Sequence, residues 1–274
     1  MTENELNTAK LLQIKILKYL HEICSKYNIK YFLAYGSLLG AIRHNGFIPW
    51  DDDIDVGMTR ENYDRFVTIC KTELDDEFFF QTVDTDDGYG WFFGKLMLKD
   101  TLWIENNSLN TNKKSGIYID IFPYDLIPNN KIIHNFLKIK YRIIQGMYLL
   151  KKKYNIYNRD KKSFIYDLYN FFLKIFSKVC SAKFLKCKLV NIYKINKTQN
   201  SVFVSFENCI ITSCLPKNFF DYLCLHKFEN LEAFIPENYD VYLKQIYGDY
   251  MVLPPIDEQI PRHDVVYYNF TQGQ

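Results

Sequence analysis

Apolar positions recur with a helical period at the start of the chain. Leu6, Ala9, Leu12, Ile16, Leu20 and Ile23 share one face of residues 4–26, which predicts an amphipathic helix with Asn or Thr at its start. The period then shortens. "IKYFLAYGS" reads as a short aromatic strand ending at Gly36-Ser37, and "LLGAIRH" as a short helix. "DDDIDVGM" reads as the next strand, and "TRENYDRFVTICKTEL" as a helix capped by Thr59. Residues 78–83, 91–99 and 101–105 read as strands, with Asp84, Asp86, Asp87 and Gly88 as a turn. "GIYIDIFPYDLI", residues 116–127, is a further strand running into a Pro-marked loop. From 131 to 200 Lys, Tyr, Phe and Ile mix without Pro, and Gly146 is the only glycine, which predicts helices with basic faces. Residues 201–274 read as short helices or strands between Pro-rich turns, with "FENLEAFIPENYDVYLKQIYGD" as a loop and then a helix ending near Gly248. The expectation is an α/β chain of the α+β kind: a mixed-sheet core in 1–130, a basic helical insertion in 131–200, and a C-terminal part in 201–274 that packs on the core and closes the site.

Composition supports a real core: 48% of the 274 residues are hydrophobic and 17% aromatic. The net charge of +2 hides an asymmetry. Residues 131–200 hold 17 Lys/Arg against Asp160 and Asp167, which leaves 17 basic and 30 acidic residues elsewhere. The basic segment reads as a helical subdomain with solvated lysine faces or as a surface for an anionic glycolipid or the inner membrane face. No RNA-binding motif accompanies the charge, so a nucleic-acid partner is not expected. The seven cysteines form no CxxC pair and no zinc spacing. The N-terminus lacks a basic, apolar leader pattern, and no stretch reaches the ~18 apolar residues of a membrane span. The chain reads as cytoplasmic.

Chemistry concentrates in "GFIPWDDDIDVGM". On a strand, alternate side chains share a face, so Asp53 and Asp55 would lie side by side with Asp51 in phase. Adjacent ionised carboxylates on a partly buried sheet repel each other and are costly to desolvate. A hard divalent cation removes that cost, since Mg²⁺ takes oxygen ligands from carboxylates, phosphates and water. The bland alternative is an acidic solvated turn after Pro49. Gly36-Ser37 adds a strand-to-helix turn whose N–H groups suit a phosphate. Such a turn followed by DxD on the next strand resembles the layout of the nucleotidyltransferase fold, which implies a third carboxylate on a further strand. Asp120 is the best candidate and Asp125 the fallback.

"YGSLLGAIRHNGFIPWDDDIDVGM" closely resembles the signature of the LicD family, which includes fukutin-related proteins. "GKLMLKDT", "GIYIDIFPYD" and "FENLEAFIPENYDVYLKQIYGDYMVLPP" resemble that family's later blocks. The resemblance runs through about 31–127 and 228–263, and 131–200 carries no matching motif. It implies a nucleotidyltransferase-like fold and transfer of a phospho-alcohol, typically phosphocholine from CDP-choline, to a sugar hydroxyl of a cell-surface glycan such as lipopolysaccharide or teichoic acid. Position by position it implies that Asp53, Asp55 and Asp120 hold Mg²⁺ or Mn²⁺. Gly36 and Ser37 match the turn facing the donor phosphates; Arg43, His44 and Lys95 match basic positions of the family blocks. Arg43 and Lys95 are the candidates to pair with phosphate oxygens. In "PPIDEQIPRHDVV" Arg262 and His263 are present, but Asp264 stands where the family pattern has a second His. A choline head group needs an aromatic face, so Trp50, Trp91 and Trp103 are candidates, and His263 is a candidate acceptor contact. The implied reaction is in-line displacement at phosphorus, with CMP released. Nucleotidyl transfer to a small phosphorylated substrate, releasing pyrophosphate, is the alternative enzyme; a non-catalytic glycan- or membrane-binding protein is the alternative of another class.

Overall fold

The structure, a computed structural model, describes residues 1–156, 164–193, 201–205 and 214–270. It opens with helix α1, Glu3–Lys26. Thr2 and Glu5 form a reciprocal capping box at its start. Its inward stripe includes Ala9, Ile16, Leu17, Leu20 and Ile23. Gln13, on the same stripe, is buried and donates to the Asp52 carbonyl at 2.9 Å. The long helix thereby holds the acidic segment as well as filling the core.

Behind α1 come β1 (Phe32–Leu33), α2 (Tyr35–His44), β2 (Asp55–Thr59), α3 (Arg60–Ile69), β3 (Phe78–Gln81), β4 (Gly94–Leu98), β5 (Leu102–Glu105) and β6 (Tyr118–Pro128). The main sheet runs β1-β2-β6-β4-β3. Only the β2–β6 pairing is parallel; the others are antiparallel, so the sheet is mixed as expected. The register sets Asp55 opposite Asp120, Asp120 opposite Lys95, and Lys95 opposite Gln81. Four polar side chains thus form one rank across a sheet whose other positions include Val56, Leu96, Ile119 and Ile121, all fully buried.

Beyond β6 the described residues form helices α4 (Lys131–Lys151), α5 (Phe164–Val179) and α6 (Ala182–Tyr193). Leu137, Tyr141 and Tyr148 of α4 and Leu185, Leu189 and Ile192 of α6 form a second apolar cluster with Ile127, Val202 and Val204. Strands β7 (Ser201–Val204) and β8 (Leu215–Pro216) extend the sheet from the second half of β6. The chain ends with the hairpin β9–β10 (Leu223–Phe228, Leu231–Pro236), α7 (Tyr239–Tyr247), and β11 (Val265–Asn269), which pairs with β5. Cys209 lies outside the described residues.

Several local expectations change. Gly36 and Ser37 do not end a strand; they form the first turn of α2. Residues 51–54 are not strand, because Asp51 N–H closes a turn onto the Ile48 carbonyl after Pro49 and β2 begins only at Asp55. Residues 231–236 are a hairpin strand rather than a loop, paired residue for residue with β9. Thr59 caps α3 as predicted, accepting from Asn62 N–H.

Arg60, the first residue of α3, makes two 2.8 Å bonds to the buried carboxylate of Asp125 on β6. This fork-to-fork contact satisfies both oxygens. Arg60→Ala leaves that carboxylate buried without its bidentate partner and is expected to lower stability by about 3 kcal/mol. Urea unfolding that shows no more than a few tenths of a kcal/mol would refute the assignment.

Candidate active site

The acidic residues converge by two routes. Asp55 and Asp120 are cross-strand neighbours. Asp53 reaches them from the turn before β2, and oxygens of Asp53, Asp55 and Asp120 all lie within 4.8 Å of one another. The Asp120 N–H donates to the Ile54 carbonyl at 2.8 Å, carrying the parallel ladder to the edge of the cluster. Asp125, the fallback, is engaged by Arg60 in the other half of β6.

Asp52 is almost fully buried, and its carboxylate lies within 4.8 Å of both Asp53 and His263. Its Oδ1 lies 2.9 Å from His263 Nδ1, and its Oδ2 accepts the His263 backbone N–H at 3.2 Å. His263 Nε2 is then 3.8 Å from Asp53 Oδ2. His263 therefore stands beside the carboxylate cluster, oriented by Asp52. Neither Asp52 nor this pairing carries a sequence signal: the partners are 211 positions apart.

Lys95 is the buried cation of the cluster. Its ammonium sits 3.1 Å from Asp120 Oδ1 and 3.2 Å from the centre of the Tyr118 ring. Tyr118 in turn donates to Glu105 at 2.5 Å. Burial would raise the Glu105 carboxyl, but Lys95, His263 and the Tyr118 hydroxyl together hold it down at about 2.

Gly36 and Ser37 serve the same cluster. A Cβ at Gly36 would come within 2.8 Å of Asp51 Oδ2, so a side chain there would displace that carboxylate. The Ser37 hydroxyl, buried, accepts the Asp55 N–H at 2.8 Å. Ala34 at the N-cap supplies no side-chain bond to α2, and the first-turn N–H groups of a helix have no intrahelical acceptors. Arg43 lies about 9 Å further along α2 than Ser37; it donates to His44 Nε2 and to the Tyr250 carbonyl. Trp50 is half-buried against the main core, Trp103 is buried near Phe270, and Trp91 lines a cleft of about 270 Å³ with Arg60, Tyr63 and Phe92. A second cleft of about 220 Å³, lined by Glu105, Asn106, Asn107, Asn155, Arg262, His263 and Asp264, opens beside His263.

Burial first, then Asp53 and Asp52, pushes Asp51 up to about 8. Asp55 is pushed well above the ordinary carboxylate range by burial and by Asp53 and Asp120. Burial also raises Asp53 and Asp120, although His263 draws the first down and Lys95 the second. Burial opposes charge on His263, but the Asp52 bond, Asp53 and Glu105 prevail and lift it to about 10. Crowded, partly desolvated oxygen donors of this kind fit a hard divalent cation.

A sequence model of the nucleotidyltransferase domain shared by LicD, FKTN and FKRP matches residues 28–154. The lipopolysaccharide cholinephosphotransferase LicD of Haemophilus influenzae is 32% identical over 271 residues, covering 96% of this chain and 97% of that protein. The chain belongs to the LicD family. An uncharacterized Rickettsia typhi protein is 47% identical over 55 residues, 20% of this chain and 18% of its own. Human ribitol 5-phosphate transferase FKRP is 42% identical over 45 residues, 16% of this chain and 9% of its own. In this LicD-family chain the nucleotidyltransferase match spans α2, the carboxylate cluster, Lys95 and the whole of β6.

A carboxyl whose folded pKa is raised takes up a proton on folding, and the stability that proton confers is lost as pH rises from about 4 toward the folded value. The raised His263 acts in the same direction, between 6.5 and about 10. The cation-free protein is therefore expected to melt at a lower temperature at about pH 8 than at about pH 5. Mg²⁺ or Mn²⁺ should raise the melting temperature more at the higher pH, because cation binding displaces those protons. Asp55→Asn should shrink both differences; equal cation shifts at the two pH values would count against a carboxylate cation site.

Proposed function

We propose that this chain is a divalent-cation-dependent transferase that moves phosphocholine, or a related phospho-alcohol, from a CDP-linked donor to a sugar hydroxyl of a cell-surface glycan or glycolipid. It would work in the cytoplasm, at or near the inner membrane face. The observation that carries this reading is the convergence of Asp53, Asp55 and Asp120 beside the first turn of α2, in a chain that matches a cholinephosphotransferase along nearly its whole length.

Asp53, Asp55 and Asp120 would hold Mg²⁺ or Mn²⁺. Bound there, such an ion offsets charge on a diphosphate and on the departing phosphate. The N–H groups of Gly36 and Ser37 would face the donor phosphates, with the positive end of the α2 dipole behind them. Ser37 holds Asp55 in place through the Asp55 N–H, and Lys95 holds Asp120. The Asp55 backbone and the Asp120 carboxylate are thus held before a ligand arrives, and positioning of this kind supplies most of the catalysis in phosphoryl transfer.

The acceptor hydroxyl attacks the phosphorus that bears the alcohol. A new P–O bond forms to the sugar, the bond to the CMP oxygen breaks, and CMP leaves. The hydroxyl proton passes to a nearby carboxylate oxygen, for which Asp120 is the choice. The amide-lined cleft beside His263 offers donors and acceptors suited to a hydroxyl-rich ligand. Arg43 is better placed to fasten α2 to the segment after α7 than to reach phosphate, given its bond to the Tyr250 carbonyl.

The test is CMP release from CDP-choline, CDP-ethanolamine, CDP-glycerol and CDP-ribitol, with divalent cation or EDTA and with a glycan extract as acceptor. Release with one donor that falls about a hundredfold or more in Asp55→Asn is expected. Pyrophosphate release from CTP instead would identify a nucleotidyltransferase and overturn the proposal; cation binding without turnover would leave a binding protein.

Asp52→Asn should retain the fold and reduce kcat by about tenfold, the size of effect typical of a residue that orients a site group from behind. Unchanged kcat would show that His263 needs no such orientation.

A further inference from the structure

Helix α5 is turned inside out. Among its described side chains the inward positions are Asn170, Leu173 and Ser177, with Asn170 at 5% and Ser177 at 6% exposure. Its outward stripe is Leu168, Phe171, Phe172, Ile175, Phe176 and Val179, with Phe171 at 58% and Val179 at 80% exposure. A helix facing water on one side and a core on the other places these types the opposite way. The packing contact beneath is close: a Cβ at Gly146 of α4 would come within 3.0 Å of a Leu173 methyl, and Lys151 donates to the Lys178 carbonyl. The inward side of α5 is therefore already occupied by α4, and the aromatic stripe is the outer surface.

Helix α4 has the same kind of outer stripe. Ile132, Phe136, Ile139 and Ile143 recur at helical spacing and are all exposed, Phe136 at 64%, while Leu137, Tyr141 and Tyr148 fill the cluster on the other side. Exposed lysines flank both stripes: Lys131 and Lys140 on α4, Lys174 and Lys178 on α5. Across the described parts of α4, α5 and α6 the only acidic residue is Asp167. A second copy of this face would bring lysines against lysines. An anionic lipid surface answers both features at once: acyl chains take the aromatic and aliphatic side chains, and the lysines reach phosphate headgroups along their flexible stems. No helix among the described residues is long and apolar enough to cross a membrane, so this contact is lateral.

The geometry points to α4 and α5 as an interfacial docking face for an anionic lipid bilayer. The inference stands apart from the proposed reaction, since lipid binding is read without substrate. It is tested by floating the full chain with vesicles of phosphatidylcholine alone and with vesicles carrying about 30% phosphatidylglycerol. Partition into the anionic vesicles is expected, falling as salt is raised. The double variant Phe172→Glu, Phe176→Glu should weaken partition about tenfold or more, and so should Lys174→Glu with Lys178→Glu. Far-UV circular dichroism and the melting temperature check that both variants fold. Failure of the wild-type chain to partition, or partition that folded variants leave unchanged, would overturn the proposal. A dimer in sedimentation velocity that Phe172→Glu dissociates would overturn it too, by giving the face to a second copy.

Discussion

The structure is organised around the cost of holding carboxylates together out of water. Asp53, Asp55 and Asp120 bring oxygens within 4.8 Å of each other, at the edge of a sheet whose flanking positions are buried aliphatics. Both desolvation and mutual repulsion oppose ionisation there, and the raised Asp55 and Asp120 carboxyls register that opposition. Such a site persists only if the surrounding fold over-determines it. It does so through the parallel β2–β6 register, the Ser37 bond to the Asp55 N–H, and a lysine buried against both Asp120 and the Tyr118 ring.

Segments far apart in sequence share that task. Gln13 from α1 fixes the Asp52 carbonyl, and Asp52 fixes His263 from the chain's last tenth. His263 then lies beside Asp53, and just beyond it β11 pairs with β5, which supplies Glu105. The antiparallel β5–β11 pair and the long helix therefore brace the same short acidic turn from two sides. This explains why a site with so few functional side chains needs elements from both ends of the chain.

Much of this was legible in the residues. The helical period of 4–26 and the Thr59 cap each report local physics that the tertiary structure leaves intact. Asp120 could be singled out because its neighbours Ile119 and Ile121 anchor the opposite face. What stayed hidden depends on distance in sequence. The alternation across "DDDIDVGM" suggests a strand, but ladder partners begin only at Asp55 and Pro49 bends the chain before it. Gly36-Ser37 reads as a strand-to-helix turn whose N–H groups suit a phosphate. Its contacts within the protein, glycine for the Asp51 carboxylate and serine for the Asp55 N–H, require the folded loop to be seen. The Asp52–His263 pair and the inverted face of α5 are likewise tertiary facts, although the basic, aromatic character of 131–200 marked that segment as different.

The entrance to α2 shows how closely fold and site are coupled. Tyr35 adopts φ +44°, a left-handed conformation that a bulky residue seldom takes. Its N–H donates to the Tyr242 hydroxyl of α7, Tyr242 bonds Tyr124 of β6 at 2.8 Å, and the Tyr35 ring packs edge-on against Phe122. These contacts hold a strained residue at the point where the chain must turn sharply from β1 to α2. The turn leaves Gly36 directly against Asp51 and Ser37 directly against β2. A relaxed Tyr35 would swing the first turn of α2 away from the carboxylates, separating the helix N–H groups from the acidic cluster. The C-terminal helix α7 thus acts on the site through its packing against Tyr35. Its tyrosine maintains the one backbone conformation that keeps helix start and carboxylates together.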